Sequence, residues 1–165
     1  MALKIFKRGQ VFKGYIPEFK DDPRAPKPGF ILYGEHRFIV LHDDDEAHIS
    51  KNIVLVVPIT TATAEVTKAF KEKRNILESY VLLQKSHYHF LDHDSYASTA
   101  QTFPASRKWI EETAIGQIDE KKLREIDFQM IRTYGLMNAV KSIAEQYAAE
   151  QMALFQAEAA AGEKS

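Results

Sequence analysis

The stretch Ile53-Val54-Leu55-Val56-Val57-Pro58-Ile59-Thr60-Thr61 decides how this chain is read. From Ile53 to Ile59 every residue is apolar, and Ile53, Val54, Val56, Val57 and Ile59 are β-branched. Such side chains are stiff at χ1 and suit a pleated surface. An apolar run of this length without alternation predicts a strand buried on both faces. Toward the N-terminus, Arg37–Leu41 and Phe30–Tyr33 read as two short apolar strands split at Gly34. Residues 10–16 follow Gly9, carry Val11, Phe12, Tyr15 and Ile16, and read as a first strand. Residues 17–29 hold Pro17, Pro23, Pro26, Pro28 and Gly29. The missing backbone donors predict a loop there. His42–Asn52 is a polar, acidic loop. Toward the C-terminus, residues 64–75 predict a short surface helix, and Ser79–Leu83 and Ser95–Thr102 predict later strands.

The pattern then changes period. Asp119 is a good N-cap, and Glu120 suits the positive end of a helix. Leu123, Ile126, Met130 and Tyr134 follow at helical spacing, and Gly135 is a natural stop, which predicts a helix over 119–133. A second helix is predicted from about Asn138 to Ala160. There Leu136, Val140, Ile143, Tyr147 and Leu154 sit near heptad positions, and Glu150 interrupts the seam. The tail Gly162–Ser165 is expected to fray. Strands first and helices last fit no parallel α/β pattern. They predict a mainly β fold, a small SH3-like barrel with C-terminal helices.

Bulk composition sets limits. The 165 residues make one domain's worth of chain, with 45% hydrophobic and 27% charged residues. No apolar run is long enough to cross a bilayer, and the opening has no signal-like apolar core. Cysteine is absent, which excludes disulfides, thiolate nucleophiles and Cys-ligated zinc, and fits a cytoplasmic setting. Net charge is −1, yet residues 1–30 carry seven Lys/Arg (among them Lys13, Arg24 and Lys27) against three acids. Such a patch attracts a phosphate backbone or is simply a solvated surface.

Three constellations carry candidate chemistry. Arg37 opens one predicted strand and Thr60 ends another, with Thr61 and Gln101 as polar neighbours. Cutting RNA without a metal requires a proton taken from the 2′-hydroxyl, charge stabilised on the crowded phosphate, and a proton given to the 5′-oxygen. A guanidinium suits the second task by two-point contact with phosphate oxygens. By itself, a strand-end arginine reads first as a surface ion pair. His87-Tyr88-His89-Phe90-Leu91-Asp92-His93-Asp94 has metal-ligand residue types, but reads as a polar loop whose Tyr88 and Phe90 face the core. His42-Asp43-Asp44-Asp45-Glu46 lacks the spacing of a calcium loop and reads as a solvated turn. No metal and no cofactor are expected.

Five segments, in order, resemble one family. Lys7-Arg8-Gly9-Gln10-Val11-Phe12, His36-Arg37-Phe38-Ile39-Val40-Leu41, Ile53 to Thr61 with its Pro-Ile-Thr-Thr ending, Asp94-Ser95-Tyr96 with Gln101, and Ile115-Gly116-Gln117-Ile118 with Leu123 and Ile126 are together similar to the MazF/PemK/Kid toxin endoribonucleases. The resemblance covers roughly residues 7–136. It implies a barrel domain with a closing helix over 1–136 and a helical extension over 137–165. It implies metal-independent cleavage of single-stranded RNA by 2′-hydroxyl attack, leaving a 2′,3′-cyclic phosphate. By position, Arg37, Thr60 and Gln101 would be catalytic, with His36 assisting. Thr61, Lys13, Arg24, Lys27, Ser106 and Arg107 would bind RNA. The implied partners are single-stranded RNA, a cognate antitoxin peptide and a second copy of the chain, with no membrane. Phe38 stands where the family usually has proline, and the first loop has its own composition. The alternative reading is a non-catalytic binding protein, either a degenerate member or one of the gyrase-poisoning CcdB kind.

Overall fold

The computed structural model describes residues 5–17, 34–45 and 49–162. The expected strand Phe30–Tyr33, most of the proline loop, and the candidates Arg24 and Lys27 lie outside the described residues. The elements run β1 (Gln10–Ile16), β2 (Gly34–Val40), β3 (Ile53–Thr61), α1 (Ala62–Lys71), β4 (Tyr80–Leu83), β5 (Ser95–Ser98), β6 (Phe103–Ser106), β7 (Gly116–Gln117), α2 (Glu120–Thr133) and α3 (Met137–Gly162). The order across the sheet is β4-β5-β3-β2-β1-β7, and β6 pairs with β3 as well. Every strand pairing among the described residues is antiparallel.

β3 organises this sheet. One of its edges takes β2. Its N-terminal half also pairs with β6, from Ile53↔Ser106 to Val56↔Phe103, and its C-terminal half with β5, from Ile59↔Ala97 to Thr61↔Ser95. Val57 and Pro58 lie between the two ladders. A proline, lacking its N–H, is tolerated where neither β5 nor β6 pairs with it. After β6 the chain returns to β1. Gly14 bridges Ile110, the Glu111 amide donates to the Lys13 carbonyl at 2.8 Å, and the Ile115 amide donates to the Val11 carbonyl at 2.8 Å. That return closes a small barrel through β1, β2, β3 and β6.

The pleat explains why β2 and β3 are apolar throughout. Phe38, Val40, Val54 and Val56 point into a cluster with Phe6, Phe12, Ala105 and Ile110, the barrel interior. Ile39, Leu41, Val57 and Ile59 point the other way, into a second cluster with Val81, Leu83, Leu91, Ile118, Leu123 and Ile126. Full burial of each such side chain contributes about 1.5–3 kcal/mol. The strands therefore carry two cores, and a polar residue at any of these positions faces an apolar cluster.

α2 begins as expected. The Asp119 carboxylate accepts the Lys122 amide at 2.9 Å, the N-cap bond. Leu123 and Ile126 are buried and Met130 packs against the same cluster, but Tyr134 is exposed, so the apolar stripe is one turn shorter than its sequence spacing predicts. Gly135, at φ +68, takes the left-handed conformation that ends a helix. The chain forms two compact units, Met1–Met130 and Ile131–Ser165. In the second, α3 runs for 26 residues, and Val140, Ile143, Tyr147 and Leu154 along it are exposed. Among the described residues, no helix is long and apolar enough to cross a membrane.

Three sequence expectations need adjusting. β2 starts at Gly34 rather than Arg37. The predicted strand Ser95–Thr102 stops at Ser98, and Thr99–Gln101 form a 3-10 turn. β6, four residues with Pro104 inside, and β7, two residues long, were too short to show a period.

Candidate active site

Arg37 sits at the centre of β2, where antiparallel register sets Lys13 of β1 on one side and Ile59 of β3 on the other. Cross-strand partners share a face of the sheet. Two cations side by side repel, and a carboxylate answers them. Arg37 Nη2 donates to Asp92 Oδ2 at 2.5 Å. This guanidinium beside Asp92 is the main cause holding its carboxyl below the usual carboxylate range. Arg37 Nε is buried without a hydrogen-bond partner among the described residues. Nη2 and Nε form one edge of the guanidinium, the fork that grips an oxyanion at two points. Asp92 engages only one of them.

These residues line an open cavity of about 780 Å³ whose walls include Lys13, His36, Arg37, Thr60, Thr61 and Asp92. Its charges are mixed: Lys13, Arg37 and Lys108 face Glu35, Asp92 and Glu111. Alternation along β3 separates the two threonines. Thr61 shares the face of Ile59 and therefore of Arg37, while Thr60 points to the opposite face. His36 likewise lies on the face opposite Arg37, its ring 6.1 Å from that of Phe38.

The loop between β4 and β5 brings in the groups that face Arg37 and Thr61. His93 Nε2 lies 3.0 Å from Thr61 Oγ1. Several bonds fix this loop. The Lys85 amide donates to Asp94 Oδ1 and Lys85 Nζ to the Asp92 carbonyl, both at 2.8 Å. Ser95 Oγ donates to the His93 carbonyl at 3.1 Å, and the Ala62 amide donates to the Asp94 carbonyl at 3.1 Å. Tyr88 is buried and its hydroxyl donates to Asp119. Phe90 packs over Gly116 so closely that a Cβ there would lie 2.0 Å from the ring. As the sequence predicts, Tyr88 and Phe90 face the core.

Of the residues singled out from sequence, Lys13, His36, Arg37, Thr60 and Thr61 line the cavity, and Gln101, Ser106 and Arg107 do not. Gln101 closes the 3-10 turn that fills the gap between β5 and β6. Ser106 pairs with Ile53, seven residues along β3 from Thr60, roughly 23 Å at strand rise. Arg107 pairs with Asp44 and lies over the Phe6 ring at 4.9 Å, which makes it a packing residue of the barrel end. Burial raises the Asp44 carboxyl, and Arg107 with the Phe6 amide outweighs that and lowers it. Asp92, His93, Lys108 and Glu111 join the cavity or its rim without having been singled out as RNA-site residues. The signal for His93 is the β3–β5 register: Thr61 pairs with Ser95, so the residue two before Ser95 arrives at Thr61. His87 and His89 are exposed, and among the described residues no three His, Asp or Glu side chains group to hold a metal ion.

No protein-family model matches the chain, and no curated protein matches it. Solved structures do. One is an endoribonuclease in complex with its cognate antitoxin from a mycobacterial species, 15% identical, covering 79% of this chain and 95% of that one at a TM-score of 0.49. Another is the Mycobacterium tuberculosis toxin MazF-mt6, 14% identical, covering 77% of this chain and 97% of that one at a TM-score of 0.52. The second likeness takes in nearly the whole of the toxin, and with the curled antiparallel sheet and closing helix described above it shows that this chain has the MazF toxin fold.

Proposed function

We propose that the chain is a metal-independent endoribonuclease of the MazF kind that cuts single-stranded RNA at the Arg37 cleft. The observation that carries this reading is the half-used guanidinium edge, with Nη2 on a single carboxylate oxygen and Nε unpaired. A phosphate makes both contacts at once, which one oxygen of Asp92 does not. Arg37 then meets the negative charge that builds on phosphorus as the 2′-oxygen attacks. Lys13, its cross-strand neighbour, adds attraction for the next phosphate. Thr61 and Thr60 offer neutral hydrogen bonds to phosphate or base edges. The products are a 2′,3′-cyclic phosphate and a 5′-hydroxyl.

The same edge accommodates carboxylates, as Asp92 illustrates. An acidic antitoxin peptide laid in the cleft would compete with RNA there. A homodimer is part of the same reading. One observation favours a binding-only protein instead: Arg37 is already neutralised by Asp92, within a cleft of mixed charge. The test is incubation of purified protein with a mixed-sequence RNA, with and without EDTA, followed by mass analysis of the ends. Cyclic-phosphate ends that form equally in EDTA support cleavage. Intact RNA supports binding only, and ends that form only without EDTA contradict the metal-free chemistry.

A further inference from the structure

We infer that Asp92 and His93 form the proton-transfer pair of this cleft, Asp92 accepting the 2′-hydroxyl proton and His93 donating to the 5′-oxygen. The inference rests on the RNA-cleaving reading above and goes beyond it, because an arginine and two threonines stabilise charge but move no proton at neutral pH. Arg37 keeps its own, as guanidinium does throughout this range. A donor and an acceptor are still required.

The loop between β4 and β5 supplies both. Asp92 stands on Arg37, and a phosphate that takes both points of the Nη2/Nε edge displaces it from Nη2. The backbone of Asp92 stays at the cleft, because its carbonyl is held by Lys85 Nζ and the next two residues are tied to Ser95 and Ala62, so its carboxylate stays within reach of the cleft. It is set beside the bound phosphate, where the 2′-hydroxyl lies. Losing the guanidinium contact also returns its carboxyl toward the ordinary carboxylate range, which makes it a better base than in the free protein. His93 is held by Thr61 at 3.0 Å, on the Arg37 face of β3. An imidazole nitrogen can carry a proton and give it up, which suits the donor role. His36 lies on the opposite face and does not share this position.

The step balances. The 2′-O–H bond breaks and its proton passes to Asp92. The 2′-oxygen bonds to phosphorus. The bond from phosphorus to the 5′-oxygen breaks, and that oxygen takes a proton from the His93 imidazolium. Asp92 then loses its proton to water and His93 regains one.

The test uses the full chain and an RNA containing its mapped cleavage linkage, made once with the natural 5′-oxygen and once with a 5′-bridging sulfur. A thiolate leaves without protonation, so the sulfur substrate bypasses the donor. General acid–base groups contribute about 10²–10⁴-fold, so His93→Gln is expected to cut the oxygen RNA at least about a hundredfold more slowly than the unaltered chain. On the sulfur RNA it is expected to come within about tenfold of the unaltered chain. Asp92→Asn is expected to slow both substrates alike. Rate against pH is expected to fall in acid as Asp92 protonates. The groups facing the pair are Arg37, Lys85 and Thr61, with Lys13, Glu35, Lys108 and Glu111 around the cavity. Both side chains are exposed, so these variants should fold, and circular dichroism checks that. A His93→Gln protein equally slow on both RNAs, or within threefold of the unaltered chain on the oxygen RNA, overturns the donor. An Asp92→Asn protein that binds more tightly and cuts faster overturns the acceptor and shows that Asp92 merely competes with phosphate. In both cases cleavage by the unaltered chain leaves the nuclease reading standing. If that chain cuts no RNA, the nuclease reading falls and the pair falls with it.

Discussion

Tyr88→Phe and Asp119→Ala, made singly and together, test whether the core fixes the loop that carries Asp92 and His93. Tyr88 is buried and its hydroxyl donates to Asp119, which also caps α2 through the Lys122 amide. Removing the hydroxyl forfeits a bond to a charged acceptor, about 1.5 kcal/mol at the low end of its range because Asp119 is exposed and rehydrates. Removing the carboxylate costs about 1 kcal/mol for the cap. It also leaves a buried hydroxyl without this acceptor, about 1.5 kcal/mol more. The double variant loses cap and bond but orphans nothing. It should therefore be no less stable than Asp119→Ala by more than a few tenths, a coupling of about 1.5 kcal/mol. Urea unfolding followed by the fluorescence of Trp109, the single tryptophan, reads this out. The Tyr88 hydroxyl, chiefly, and the Lys122 amide hold the Asp119 carboxyl below its ordinary value of 3.8. A depressed carboxyl stabilises above that value and loses its contribution as pH falls through the lower, folded-state value. The gap between the unaltered chain and Asp119→Ala should thus be full at pH 7 and shrink below pH 3.8. Single-variant losses that simply add, or a gap that persists undiminished in strong acid, would refute the reasoning.

Other predictions follow from the same packing. Arg8→Ala removes the contact of Nη2 with both carboxylate oxygens of Asp127 at 2.6 Å and the bond of Nη1 to the Leu41 carbonyl, and should lower stability by about 1–2 kcal/mol, read by thermal unfolding. Gly116→Ala puts a methyl group into the Phe90 ring and should cost about 1–3 kcal/mol as that ring shifts, visible in the same assay. Arg107→Ala leaves the Asp44 carboxylate of a mostly buried pair without its cation and should destabilise by several kcal/mol, about 3 at the low end. Sedimentation should show a dimer at micromolar concentration, and a monomer throughout would count against that assembly.

The two-faced strands were legible because burial on both sides leaves an unbroken apolar run, as Ile53–Ile59 shows. α2 was legible through Asp119 and its periodic Leu123 and Ile126. β6 was not, because four residues with a proline carry no period and its pairing with β3 is a matter of tertiary register. The site divides the same way. Thr60 and Thr61 end β3 where the sequence marks its end, whereas Arg37 sits at the centre of β2 rather than at its expected start. Asp92 and His93 lie in a loop that composition describes only as polar, and their proximity to Arg37 and Thr61 exists only once β5 is docked on β3. Arg107 has the residue type for RNA contact but is spent on Asp44.

The most direct test of the central claim is the rate at which purified protein cuts single-stranded RNA before and after Arg37→Ala. Removing one preorganised donor costs about 3 kcal/mol, so the variant should cut roughly a hundredfold or more slowly while unfolding as the unaltered chain does. Arg37→Lys should recover little of the rate, since an ammonium keeps the charge but loses the two-point edge. A folded Arg37→Ala protein that cuts RNA as fast as the unaltered chain would contradict the account.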